Sequence, residues 1–426
     1  MITILVVLVL IILALLGAPL FSIIAAGALY GFYSADIDLM VIGIELYRIA
    51  ETPLLMALPL FTLTGYILSE SNTSQRMLDL IQSMVGWMPG GLIIFAFIFS
   101  ALFTAFTGAS GVTIVALGAL FYPAFIKAGY TDKFSLGMVT SSGSLGLLIA
   151  PSLPLILYGI IAQQMDLDVH FSINDLFIAG LLPAALMVIA LSIYVIIKNQ
   201  HFKIQTVEFD KDKLLKAIWA MRWEIPMPIL LMIGIYSGYF AISEAAAVVA
   251  LYILIIETLI YKEVSFSKLI DVVRESMAMV GSILLILAVS LALTNVFIDA
   301  EIPAQLFSMV QENVDSKISF LILLNLFLLF VGAILDIFSA LVIIVPLILP
   351  VAISFGIHPV HLGIIFLANM QIGYLTPPVG INLFISSYRF KKPIADVYKA
   401  SYPFMLVLFV VLIIITYIPA LSLYFI

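Results

Sequence analysis

Residues 371–384 read QIGYLTPPVGINLF, a glycine, a threonine and two adjacent prolines inside a run otherwise apolar enough for a membrane helix. Pro377 and Pro378 cannot donate backbone hydrogen bonds, so carbonyls one turn earlier lose their helical partners. Freed carbonyls are hard oxygen ligands. With the hydroxyl of Thr376 and the carboxylate of Asp336, they make a set able to replace the water shell of an alkali cation. A half-helix starting after Pro378 would point its positive end at an anion. Gly146, Ile149 and Pro151 supply a second backbone break in GLLIAPSLPLILYG, and Thr104, Thr107 and Ser110 supply hydroxyls in FTAFTGAS.

Each residue also has an ordinary reading. One proline in a membrane helix is usually a kink, and Thr104, Thr107 and Ser110 could simply pack or bond back to their own helix. Glu244 starts an apolar run and could cap a helix. Asn295, Asn325, Asn369 and Asn382 could bridge helices; only Asn369 lies just ahead of a break. Asp336 differs in kind, because an ionisable group deep in an apolar run is costly and by default functional.

Elements that position such groups must lie in lipid. The 426 residues are 64% apolar and 10% charged, with a mean hydropathy of +1.25, and no soluble domain hides that much apolar surface. Runs long enough for a spanning helix, about 20 residues, recur from Ile2 to Ile426. The reading is one polytopic membrane domain. A net charge of −7 without a basic block argues against nucleic acid. The absence of cysteine excludes disulfides and thiol chemistry, and the four histidines (170, 201, 358, 361) have no metal-ligand spacing. The opening MITILVVLVLIILALLGAP lacks a basic n-region and reads as a retained membrane segment. Trp87, Trp219 and Trp223 read as interface anchors.

Loop charges orient the chain. Lys198, Lys203, Lys211, Lys213, Lys216 and Arg222 place 198–222 on the cytoplasmic side, and the 165–175 loop, without Lys or Arg, belongs outside. Spans at 225–239 and 244–260 lead to Lys262, Lys268 and Arg274 inside, and a span at 277–298 leads to an acidic outer loop. Alternation closes only if 91–127 and 318–350 are re-entrant hairpins, interrupted at TAFTGASG and GAILDIFS; Arg389, Lys391 and Lys392 then fall inside. At a constant offset of 227 residues Pro123 matches Pro350, Gly129 matches Gly356, Gly146 matches Gly373 and Pro151 matches Pro378. Hairpins entering from opposite sides make these inverted repeats, an architecture of secondary transporters.

The expected fold is an all-α polytopic membrane protein with inverted repeats, each holding a re-entrant helical hairpin and a broken transmembrane helix. Its divisions are scaffold helices over 1–90, a first repeat over 91–197 (broken helix 134–163), a linker over 198–222, scaffold helices over 223–298 and a second repeat over 299–426 (broken helix 359–388). Whether 1–34 is one tilted helix or two short ones turned at Gly17-Ala18-Pro19 is open from the residues alone.

The motifs FTAFTGAS, GLLIAPSLPLILYG, GAILDIFSALVIIVPLILP and ANMQIGYLTPPVGINLF, with ALPLFTLTGYIL near Pro59, resemble the large membrane subunit of tripartite ATP-independent periplasmic (TRAP) transporters. The resemblance covers essentially the whole chain. It implies a sodium-driven elevator transporter of the bacterial inner membrane, with about two sodium sites and no organic cofactor. Its implied partners are a small membrane subunit and a periplasmic substrate-binding protein. Implied ligands of one sodium are Thr104, Thr107, Gly146, Ile149 and Pro151, and of the other Asp336, Gly373, Thr376 and Pro378. The family's first-tip pattern Phe-Ser-Gly-x-Ser-Gly-Ser becomes Phe103-Thr104-Ala105-Phe106-Thr107-Gly108-Ala109 here, with Ala109 replacing a hydroxyl beside Ser110. Ser110, Ser142 and Asn369 are the candidate substrate contacts, and the substrates implied are organic acids such as C4-dicarboxylates or sialic acid. For residues 1–34 the resemblance favours two short helices starting outside.

A channel would also use exposed carbonyls, but should line a continuous pore. An intramembrane enzyme would need a catalytic pair within the spans, and Asp336 has no such partner in the sequence.

Overall fold

The computed structural model describes residues 2–16, 18–41, 43–44, 47, 53–88, 90–165, 169–199, 208–237, 239–314 and 316–426. Gly17, His201, Lys203 and residues 166–168 of the 165–175 loop lie outside them. The described residues form helices and connecting turns. Eight helical stretches among them, three of them 18-residue hairpin arms, have the length and apolar composition of a membrane span.

The N-terminal apolar stretch is two helices, α1 (Ile2–Leu15) and α2 (Leu20–Ser34), the second entered from Pro19. Then come α3 (Ala57–Glu70) and α4 (Thr73–Val85). The first hairpin is α5 (Gly91–Thr107) and α6 (Ser110–Lys127). At about 1.5 Å per residue, an arm of 17 residues reaches about 26 Å, short of the ~30 Å hydrocarbon layer. Gly108 ends α5 with φ of +65°, and a Cβ there would lie 2.3 Å from Leu153 Cδ1, so both conformation and space call for glycine.

The first broken helix is α7 (Asp132–Ser142), a 3-10 turn at Leu145–Leu148 and α8 (Leu153–Gln164). There follow α9 (Ile173–Asn199), α10 (Lys211–Ala220), α11 (Pro226–Tyr236), α12 (Ile242–Ile255), α13 (Phe266–Asp299) and α14 (Ile302–Asn313). Glu244 accepts the Ala241 N–H at 3.0 Å, and so closes the start of α12. The second hairpin is α15 (Lys317–Ile334) and α16 (Ile337–Ser354). Its broken helix is α17 (Pro359–Gly373) and α18 (Ile381–Phe390); α19 (Ile394–Tyr417) and α20 (Ala420–Leu423) complete the chain.

At the 227-residue offset α6 and α16 correspond end to end. The packing repeats as well. Arm α6 lies on α18 while α16 lies on α8, and α7 lies on α19 while α9 lies on α17. Each hairpin therefore packs on the half-helix of the opposite repeat. The broken helices form the centre: an 18-residue window within the 132–164 stretch is 94% buried, against 39% for α6, and every residue of α17 is buried. Apolar residues of α15, such as Ile318, Ile322 and Leu326, face outward, as lipid-facing surface does.

Candidate functional site

Both helix breaks rest on hairpin arms through close backbone contacts. A Cβ on Gly146 would lie 2.0 Å from the Ala101 carbonyl oxygen and 2.6 Å from the Ala105 nitrogen, so the first break lies directly on α5. Here the structure brings Thr104 and the Gly146 turn together. The Thr104 hydroxyl lies 2.8 Å from the Ser100 carbonyl, 2.9 Å from the Gly143 carbonyl and 2.7 Å from the Thr113 hydroxyl. It bonds back to its own helix and also joins an oxygen cluster spanning both hairpin arms and the break. Thr107 makes only long contacts: its hydroxyl donates to the Thr104 and Ala109 carbonyls at 3.4 Å and accepts from the Ala109 N–H at 3.5 Å. The Gly146 carbonyl accepts from the Ile149 N–H at 3.1 Å and the Ile149 carbonyl from the Ser152 N–H at 2.9 Å, leaving each one lone pair. The Ala150–Pro151 and Pro377–Pro378 peptide bonds are cis.

Asp336 lies at the tip of the second hairpin and is half-buried. It is the N-cap of α16, where Oδ1 accepts from the Phe338 and Ser339 N–H groups at 3.0 and 3.1 Å, and Oδ2 accepts from the Ser339 hydroxyl. Gly373 packs on Gly332, and the Gly380 N–H donates to the Ala333 carbonyl at 3.1 Å, tying the second break to that tip. The Thr376 hydroxyl donates back to the Ile372 carbonyl at 2.9 Å, and the Pro378 carbonyl accepts from the Tyr398 hydroxyl at 2.9 Å.

The candidate substrate contacts do not form one group through hydrogen bonds. Ser142 bonds back to the Val139 carbonyl. Asn369 bridges helices: its Nδ2 donates to Asn325 Oδ1 at 2.7 Å and to the Ile365 carbonyl at 2.8 Å, while its Oδ1 has no partner. Ser110 is placed otherwise. Its hydroxyl donates 2.7 Å to Oδ1 of Asn382 on α18, so the first hairpin tip touches the second broken helix. Asn382 is fully buried and its Nδ2 has no partner.

Thr113 and Gly143 are polar participants that the sequence did not single out, and Asn382, read there as a helix bridge, does bridge to Ser110. A further pair shares the repeat offset: Ser144 and Gln371, each two residues ahead of a break glycine, are fully buried, with the Ser144 hydroxyl and both Gln371 amide atoms unpartnered. Their matched positions were visible in the sequence; their lack of partners was not.

Residues 4–421 match the family model described as "Tripartite ATP-independent periplasmic transporter, DctM component". The chain is 33% identical over 384 residues to the C4-dicarboxylate TRAP transporter large permease protein DctM of Pseudomonas aeruginosa, covering 90% of this chain and 88% of that one. It is 32% identical over 410 residues to the isethionate TRAP transporter permease protein DctMQ of Oleidesulfovibrio alaskensis, which covers 96% of this chain but only 62% of that longer relative. Among solved structures, the Alcanivorax borkumensis YdaH transporter shares the fold, with a TM-score of 0.63 at 14% identity over 89% of this chain and 87% of that one. These relatives are transporter permeases rather than enzymes. With the inverted hairpins and broken helices in place, the family match from residue 4 to residue 421 shows that the chain belongs to the DctM-component family of tripartite ATP-independent periplasmic transporters.

Proposed function

We propose that this chain is the large membrane subunit of a sodium-coupled importer of organic acids in the bacterial inner membrane. It receives substrate from a periplasmic binding protein and works beside a small membrane subunit. The observation that carries this reading is the contact of Ser110 with Asn382, where the first hairpin tip meets the second broken helix and one buried amide N–H2 remains unpaired. An unpaired buried donor costs about 1–3 kcal/mol; a carboxylate entering there would relieve it. The names of the relatives agree in kind, since C4-dicarboxylate and isethionate are both small organic anions.

Sodium fits the donor sets on chemical grounds. Thr104, Thr107, Gly146, Ile149 and Pro151 offer only hydroxyl and carbonyl oxygens, and Asp336, Gly373, Thr376 and Pro378 add one carboxylate. Hard oxygen ligands of this kind suit a small hard cation. Ion and acid would be held together, because each hairpin tip packs on a break and one arm of each hairpin on the opposite half-helix. Under an elevator mechanism the hairpins and broken helices move as one body, across a scaffold in which α2 and α3 pack on α13. The divisions at 1–90, 91–197, 198–222, 223–298 and 299–426 belong to the same proposal.

The test is uptake into proteoliposomes holding this chain with its small subunit, using C4-dicarboxylate and its binding protein, with and without an inward sodium gradient. Accumulation should require the gradient. Equal uptake without sodium, or unitary ionic currents without substrate, would sink the reading.

A further inference from the structure

Helices α4 and α10 pack side by side and separate two cavities of opposite character. On one side Arg76, Asp79, Gln82, Ser83, Lys213 and Lys216 bring charged and polar groups to a cavity of about 490 Å³. On the other, Met77, Leu80 and Met84 of α4, with Ile218, Met221 and Ile229, face Phe99, Leu102, Phe103 and Phe106 of α5 across an apolar groove of about 480 Å³. Two amphipathic helices with water-loving groups on one side and an apolar groove on the other mark a membrane interface. The polar members of the groove, Thr73 and Glu224, are bound to each other at 2.6 Å. Nothing in the groove therefore asks for a polar ligand.

Its mouth does. Arg222 lies between Met221, which lines the groove, and Trp223. It is half-buried, stacks on Trp219 at 4.5 Å and lies 5.8 Å from the Trp223 ring. Among the described residues its one hydrogen bond is to the Trp219 carbonyl at 2.8 Å, and it makes no ion pair there. A partly desolvated guanidinium without a carboxylate, flanked by interfacial tryptophans, is complementary to a phosphate.

We infer that this groove binds a glycerophospholipid, with an acyl chain between α4 and α5 and the phosphodiester on Arg222. Phe103 and Phe106 form the far wall and neighbour Thr104 and Thr107 in the chain, so an occupied groove backs the first hairpin tip against α4. This site uses neither the sodium ligands nor Asn382, and its test is independent of transport.

The test uses the full chain in liposomes carrying a trace of phospholipid with a diazirine at the end of one acyl chain. The diacylglycerol bearing the same diazirine is the phosphate-free comparison. After irradiation, labelled peptides are mapped by mass spectrometry, with the outward face of α15 (Ile318, Ile322, Leu326) as the internal standard for ordinary lipid contact. The phospholipid should label 99–106 and 221–229 well above α15. Arg222→Gln should cut that labelling by about tenfold, the loss expected for one charge-assisted hydrogen bond, and leave diacylglycerol labelling unchanged. Ile229→Trp, at a lipid-exposed position on the groove, should cut both; it carries the test if Arg222→Gln fails to fold. Labelling of the groove no stronger than that of α15, or unaltered by either folded variant, overturns the proposal.

Discussion

Gly373 lies against Gly332 so closely that a Cβ on Gly373 would come within 2.5 Å of both the Cα and the carbonyl carbon of Gly332. The neighbours are backbone and cannot swing away. Gly373→Ala must therefore separate α17 from α15 and should cost about 1–3 kcal/mol, the range for overpacking. The reverse change is milder: a Cβ on Gly332 would meet its nearest atom, the Gly373 Cα, at 3.1 Å. Thermal unfolding of the detergent-solubilised variants checks the order. Equal midpoints for Gly373→Ala and wild type would contradict the packing described.

Asp336 has two possible duties that one pair of substitutions separates. As a helix cap it is replaced well by asparagine and poorly by alanine, which costs about 1 kcal/mol. As a sodium ligand it is replaced by neither. Asp336→Asn should therefore keep the wild-type melting temperature and lose most sodium-dependent uptake. Wild-type uptake by Asp336→Asn would leave Asp336 with the capping duty alone.

Much of this architecture is legible in the sequence because its causes are local. Prolines at 151 and 378 each remove a backbone donor, glycines at 146 and 373 accompany them, and their shared 227-residue offset is visible without coordinates. Hairpins follow from arm length and loop charge. The capping duty of Asp336 was equally local, since the Ser339 that completes it lies three residues on. What could not be read is which distant groups meet. Asn382 resembles the other helix-bridging asparagines until α18 is laid against the first hairpin, 272 residues away from Ser110 in the chain. Likewise Thr113 and Gly143 gain meaning only when α6 and the end of α7 converge on Thr104.

The free amide donor of Asn382 gives a prediction about affinity. Asn382→Leu keeps most of the volume but removes the donor, and should raise KM for the acid by about tenfold, as loss of a hydrogen bond to a charged group does. Ser110→Ala breaks the same interhelical bond yet leaves the amide in place, so its KM should rise less. Initial-rate uptake across substrate concentration distinguishes them. If the two variants suffer alike, Asn382 acts by joining the helices.

Arg76 is the hub of a buried network that fastens α4 to the end of α12. Its guanidinium binds Glu224 at 2.7 and 3.0 Å, pairs with Glu257 at 3.5 Å and with Glu263, and lies 4.2 Å from the Tyr261 ring centre. Removing it leaves Glu224 and Glu257, 3% and 0% exposed, without their counter-charge. Arg76→Ala should cost about 3–5 kcal/mol, as for a broken buried pair. Burial alone would raise the Glu263 pKa, but the Arg76 hydrogen bond, the Asn72 N–H and the guanidinium charge bring it below its ordinary 4.5. A carboxyl more acidic in the folded chain than in the unfolded one stabilises fully above pH 4.5, and that stability fades as pH falls through the lowered folded value. The melting temperature should therefore drop on acidification below that point, and Glu263→Gln should make the drop shallower. An unchanged acid slope in Glu263→Gln would show that the Arg76 network does not draw its pH dependence from this residue.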